Sequence, residues 1–218
     1  MERDCRMSAD SRPLLPYAIS ICGLDELVDL LDHDISHVLS ILDPDWPDPA
    51  LFAGFPADRR EVFRFHDVID EAFGCTAPIR ADVQRLLILG ERWRDTGVRH
   101  LLIHCHAGIS RSTAAAAALL AQRHPGQEDD AFRCIAGIRS WSWPNSRMVE
   151  FADSLLGRKG RLIAAMRRHH GRMIERWPDL SRPLAIGSRA REYFLAKRQK
   201  DGGDVRWKPN EEGGTPPP

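Results

Sequence analysis

No apolar run in the 218-residue chain approaches the roughly 18 residues that cross a bilayer, and residues 1–10 are polar and mixed in charge. Neither a transmembrane segment nor a secretory leader is expected, and a cytoplasmic location is. Cysteine is scarce: Cys5, Cys22, Cys75, Cys105 and Cys134 are odd in number, irregularly spread and form no CxxC pair. That argues against a secreted disulfide framework and fits a reducing compartment. There is no internal repeat and no net charge, so no nucleic-acid partner is expected.

What is present suits one α/β domain, since 43% of residues are apolar and the length allows a well-filled core. The expected organisation is an N-terminal extension over 1–12 and a domain over 13–186. That domain divides into a core over 14–157 and a basic amphipathic helix over about 160–177, and a flexible Pro/Gly/charged tail follows over 187–218. The zero net charge conceals an asymmetry. Residues 1–75 carry sixteen Asp/Glu against six Arg, and residues 158–191 carry ten Lys/Arg against Glu175 and Asp179. Two solvated faces that attract one another are the first reading, and a basic patch for an anionic or membrane-surface partner the second.

Apolar content places strands at 14–21, 35–42, 61–66 and 98–103, with a helix over 23–31 after the first. Three prolines in 43–49 fix an irregular loop. Pro78 suits the first turn of a helix ending at Thr96-Gly97, and helices are expected at 112–123, 128–139 and 146–156. Strands that alternate with helices, followed by a helical half, imply a central mostly parallel sheet of about four to five strands flanked by helices. Ligands bind such sheets beyond the carboxyl ends of the strands.

At one such end stands His104-Cys105-His106-Ala107-Gly108-Ile109-Ser110-Arg111-Ser112, between a buried strand and an alanine-rich helix. A thiolate is the useful nucleophile, and a helix N-terminus with a nearby cation favours it. The backbone N–H groups of His106, Ala107, Gly108, Ile109, Ser110 and Arg111 can curl into an anion nest, Gly108 permitting the turn. Arg111 offers a planar fork for two phosphate oxygens, and Ser112 can hydrogen-bond the sulfur as it leaves. Two histidines flanking one Cys lack the three or four convergent ligands that zinc requires, so no metal or other cofactor is expected.

This string resembles the HCxxGxxR[ST] signature of the cysteine-dependent protein tyrosine and dual-specificity phosphatases, and Pro144-Asn145 before a helix resembles their PN segment. The HDVID, HCHAGISRSTAAA and PNSRMV segments are similar to a small, mostly bacterial group of predicted tyrosine phosphatases. The resemblance covers about 14–157 and implies a dual-specificity-type fold. It implies that Cys105 is the nucleophile forming a phosphocysteine, that Arg111 binds the phosphate, and that Ser112 aids thiolate departure. It also implies an aspartate general acid on a neighbouring loop. Asp67, closing the third strand, is the first choice, Asp70 the runner-up, and His66 a hydrogen-bonded structural residue.

The expected substrate is a phosphorylated protein or small phosphomonoester. The loop lacks the lysine suited to highly phosphorylated inositol rings, which leaves phosphotyrosine ahead of phosphoserine and phosphothreonine. Two alternatives share the features: a rhodanese-like sulfurtransferase and a non-catalytic phosphoprotein-binding module. Trp141 and Trp143 are read as core before recognition wall. Cys22, Cys75 and Cys134 are candidate resolving thiols if Cys105 is oxidised.

Overall fold

Four short segments form the strands of the protein, whose computed structural model describes residues 14–30, 33–95 and 97–200; three are mostly apolar, and one edge strand is charged except for its Val62 and Phe63. Strands β1 (Ala18–Cys22), β2 (His37–Leu42), β3 (Arg60–Arg64) and β4 (His100–His104) make one sheet in the order β1-β4-β2-β3, every pairing parallel. The register sets Leu39 beside Ile103, Ile103 beside Ile21 and Ile41 beside Phe63. Strand β2 lies between β4 and β3 and is buried at every position, its polar His37 and Ser40 included.

Side chains alternate across the sheet. Leu39, Ile41, Leu101 and Ile103 point into the larger core, while Val38 and Leu102 meet Leu27 and Phe52 on the other face. Each such aliphatic side chain contributes about 1.5–3 kcal/mol on burial. The larger core is closed by α1 (Arg80–Asp95), α2 (Arg111–Arg123), α3 (Glu128–Ile138), α4 (Ser146–Leu155) and α5 (Arg161–Arg176). Helix α2 runs through its middle: Ala114 to Ala118 are each at most 2% exposed, because alanine forms helix well and allows close approach. The opposite face is covered by single 3₁₀ turns.

Helix α5 buries Leu162, Ala165, Met166, His169, His170 and Met173, so the basic amphipathic segment packs on the domain. Its N-terminus is capped by Asp153, whose carboxylate accepts from the N–H groups of Gly160 at 2.7 Å and Leu162 at 2.9 Å. A short helix α6 (Pro178–Ser181) and then α7 (Ala190–Lys200) follow. No helix among the described residues is long and apolar enough to cross a membrane.

Several sequence expectations need correction. The first strand starts at Ala18; Leu14, Leu15 and Tyr17 are buried as irregular chain. The helix expected over 23–31 is two 3₁₀ turns, Leu24–Glu26 and Val28–Leu30, in which the N–H groups of Leu27 and Leu30 reach back only three residues, to Leu24 O and Leu27 O. The third strand ends at Arg64, because the His66 N–H leaves the ladder for Thr76 O at 2.8 Å. Pro78 lies before α1, which begins at Arg80. The flexible tail expected from 187 is helical over Ala190–Lys200, with Glu192, Leu195 and Ala196 buried. Polar composition hid a short docking stripe there. The expectations for 1–12 and 201–218 lie outside the described residues.

The charge asymmetry closes partly on itself. Arg189 pairs with Asp67 at 3.0 Å and Arg191 with Asp70 at 3.1 Å, joining the basic C-terminal region to the acidic N-terminal one.

Candidate active site

The carboxyl ends of all four strands converge on the loop between β4 and α2. Cys105 follows β4 directly and is 2% exposed. The loop after it closes through Gly108, which has φ +68°; a Cβ there would stand 2.6 Å from Cys22 O and Gly23 N. Only glycine meets both the left-handed backbone and that contact. The end of β1 is thus the floor of the loop.

Polar contacts fix the rest of its backbone. Arg139 donates to Ala107 O at 2.9 Å and to Glu26 at 2.6 Å, and Glu26 accepts from the Gly23 N–H at 2.6 Å. Ile109 O accepts from the Trp143 N–H at 2.9 Å, and Ser110 O accepts from the N–H groups of Ala114 at 2.9 Å and Asn145 at 3.3 Å. Thr113 donates its hydroxyl to the Ile109 and Ser110 carbonyls. Cys105 Sγ and Ser112 Oγ are 3.2 Å apart.

Arg111 opens α2 and is 3% exposed. Its Nη1 donates to Asp43 Oδ1 at 2.5 Å and Phe65 O at 2.7 Å, groups at the ends of β2 and β3. Its Nε is buried without a protein partner. A buried guanidinium N–H is costly to leave unpaired, so one edge of the fork is anchored and the other waits for an acceptor.

Asp67 lies beyond β3 on a long loop whose neck is tied by His66 and Thr76: His66 Nδ1 accepts from the Thr76 N–H at 2.9 Å, and Thr76 O from the His66 N–H. Three donors converge on Asp67 Oδ1: Ser110 Oγ at 2.7 Å, Asn145 Nδ2 at 2.9 Å and Arg189 Nη1 at 3.0 Å. Burial raises the pKa of this carboxyl, but Arg189, Asn145, Arg111 and Ser110 together outweigh it and hold it below the ordinary value. Asp70 is turned outward, its side chain 66% exposed and paired with Arg191.

The structure therefore brings Cys105, Arg111, Ser112, Ser110 and Asp67 together and leaves Asp70 outside. His104 is buried with Nε2 2.7 Å from Ser40 Oγ, and burial pushes its pKa down to about 4. His106 Nε2 instead accepts from the Asp43 N–H at 3.2 Å, beneath the ring of Trp46 at 4.6 Å between centroids. Trp46 is 46% exposed, on a loop held by Arg64, which donates to Asp43 O, Trp46 O and Asp48. Trp143 is core: 2% exposed, stacked on His170 at 4.0 Å and donating to Glu192.

Of the three cysteines considered as resolving thiols, Cys134 is disulfide-bonded and so is not a free thiol, and Cys75 is free and exposed on the Asp67 loop. Burial pushes the Cys22 thiol up to about 12.

Sequence reasoning missed Asp43, Arg139, Glu26 and Arg189 as parts of this site. Asp43 closes a strand beside a proline loop, a readable hint; for Arg189, 79 residues beyond Ser110 in sequence, only the basic character of 158–191 pointed that way.

A four-stranded parallel sheet with a Cys-to-Arg loop entering a buried helix has the dual-specificity phosphatase type of fold. The chain is similar in structure to DUSP15, with a TM-score of 0.50 and 20% identity over 74% of this chain and 95% of that one. Likenesses also extend to Cydia pomonella PTP-2 phosphatase (TM-score 0.49, 20% identity, 63% of this chain and 84% of that one). A third is the Yvh1 phosphatase domain from Chaetomium thermophilum (0.49, 18%, 66% and 93%). No family model and no curated protein matches the chain.

Proposed function

We propose that the protein hydrolyses phosphomonoesters through a phosphocysteine on Cys105. The observation that carries this is the free, buried Nε edge of Arg111 in the loop that also presents Cys105, with Asp67 hydrogen-bonded to that loop. A phosphoryl group seated in the ring of loop N–H groups satisfies the Arg111 fork and stands over Cys105.

In the first step Cys105 Sγ bonds to phosphorus, the ester P–O bond breaks, and the leaving oxygen takes the proton of Asp67. Because the anchoring contacts fall on Oδ1, Oδ2 is the oxygen that carries this proton. In the second step the Asp67 carboxylate takes a proton from water as the water oxygen bonds to phosphorus. The S–P bond then breaks, with Ser112 Oγ donating to the departing sulfur across 3.2 Å. Inorganic phosphate and the free hydroxyl compound are the products. The transition-state charge spreads over oxygens faced by Arg111 and the loop amides.

Phosphotyrosine on a protein is the proposed substrate. Cys105 sits low in the fold, reached more readily by the longer aryl phosphate, and the exposed Trp46 beside His106 gives an aromatic ring a surface to pack on. A cytoplasmic location remains part of this reading.

The test is hydrolysis of p-nitrophenyl phosphate and of matched phosphotyrosine, phosphoserine and phosphothreonine peptides. Vanadate-sensitive turnover favouring phosphotyrosine, lost in Cys105→Ser, is expected. Turnover that survives Cys105→Ser contradicts the mechanism, and equal rates on the three peptides contradict the substrate.

A further inference from the structure

The Asp67 carboxylate is held from a part of the chain that follows the sheet and its helices. Arg189, just ahead of α7, sends Nη1 to Asp67 Oδ1 at 3.0 Å and to Ser110 Oγ at 3.1 Å, and Nη2 to the same hydroxyl at 3.1 Å. Its Nε donates to Glu192 Oε2 at 2.6 Å. Every nitrogen of the guanidinium is engaged, and its side chain is 12% exposed.

Glu192 is itself fixed, 3% exposed, accepting from Trp143 Nε1 at 2.7 Å and the Ser146 N–H at 2.8 Å. Trp143 in turn lies flat against His170 of α5. A continuous packed path thus runs from α5 and α7 through Glu192 to Arg189, and ends where the loop of Cys105 touches the loop of Asp67. A surface arginine pair is worth little and wanders. This one is walled in and bidentate across two loops, which is the geometry that positions a group.

We propose that Arg189 is a positioning residue for the reaction: its guanidinium locks the Asp67 carboxylate to Ser110, so that the acid loop and the nucleophile loop share one geometry supplied by the C-terminal helices. The proposal rests on the reading of Asp67 as general acid and base. The charged and titratable groups facing Asp67 are Arg189, Arg111 and His106. Arg189 is the one of these that bridges to Ser110. As a cation on the carboxylate it favours the deprotonated form, so it also sets where the acid is lost as pH rises.

The experiment is the pH dependence of kcat and KM for p-nitrophenyl phosphate with the full chain and its R189Q, R189K, D67N and D67N/R189Q forms. R189Q is expected to lower kcat about 10-fold with KM little changed. It is also expected to move the basic limb of the kcat profile to higher pH, because the neutral amide no longer favours the carboxylate. R189K, keeping the charge without the fork, leaves the limb in place and loses a few-fold in kcat. In the D67N background R189Q has no further effect. A general loss of folding scales kcat without moving a limb. An unmoved limb in R189Q, or effects of D67N and R189Q that multiply, overturns the proposal. Should R189Q not fold, R189K carries the test: a wild-type kcat in R189K, or an effect that multiplies with D67N, overturns it equally. A wild-type chain with no Cys105-dependent turnover fails the underlying functional reading instead, and the proposal with it.

Discussion

The loop from Cys105 to Arg111 and the loop from His66 to Ile79 meet through Ser110 and Asp67, yet they are held in opposite ways. The first is short, seated on the ends of β1 and β4, and pinned by backbone contacts from Leu24, Trp143 and Asn145. The second is long, tied at its neck by His66 and Thr76, and bears the fully exposed Phe73. Its working residue is fixed by side chains from elsewhere, Asn145 and Arg189. The geometry around Cys105 is thus written into contiguous sequence and packing, and that around Asp67 is assembled from three distant segments.

The largest effect that sharpens this contrast comes from Asp67→Asn. It should lower kcat on phosphotyrosine peptides by about 10² to 10⁴-fold, the range of a lost general acid. The loss should be smaller on p-nitrophenyl phosphate, whose leaving group needs little protonation. Steady-state kinetics on both substrates checks it; equal losses would break the assignment of the first proton transfer to Asp67.

A glycine pair probes the two loops directly. Gly108→Ala forces a side chain into the Cys22–Gly23 backbone at φ +68° and should cost more than about 2 kcal/mol while reducing turnover sharply. Gly74→Ala in the acid loop also has positive φ, +75°, but opens into free space. It should cost about 1 kcal/mol and leave turnover near wild type. Denaturant midpoints and p-nitrophenyl phosphate rates on both variants decide it. Equal costs would mean that the two loops are equally constrained.

How much of this was legible in sequence follows the same division. The strand, the Cys-to-Arg loop and the alanine helix lie in one continuous stretch, so pattern and chemistry coincide there. Asp67 could be chosen because it closes a strand ahead of the strand that leads to Cys105. Asp43 also closes a strand and carried a similar hint that went unused, whereas Arg139 gave none, since it acts on Glu26 and Ala107 from dozens of residues away. The 23–31 segment misled because its apolar spacing fits an α-helix, while its chain closes as separate three-residue turns. The 187–200 segment misled because a short buried stripe of Glu192, Leu195 and Ala196 sits among charged residues.

The smallest effect concerns the scaffold behind the acid loop. His170 Nε2 is 3.2 Å from Pro144 O and His169 Nε2 is 3.1 Å from Ser142 O, both on the segment that leads into Asn145. Burial, followed by the neighbouring His170 and Arg172, pushes His169 down to about 3, and burial likewise holds His170 well below 6.5. A histidine with a depressed folded pKa contributes stability that is complete above 6.5 and is lost as pH falls from there toward about 3. The slope for His169 is about 1.4 kcal/mol per pH unit. Hydrogen exchange below pH 6.5 should therefore loosen α5 and the 142–145 segment before β4 and α2. Simultaneous loosening would erase the distinction between the two supports.

The central claim is the covalent step on Cys105, and it is tested most directly by acid-quenching the Asp67→Asn protein during turnover of p-nitrophenyl phosphate and mapping phosphate by mass spectrometry. Without the base for the second step, a single phosphoryl group should accumulate on the peptide carrying Cys105 and be absent from Cys105→Ser. Phosphate on His104 or His106, or turnover with no phosphorylated protein at any time, would contradict the account.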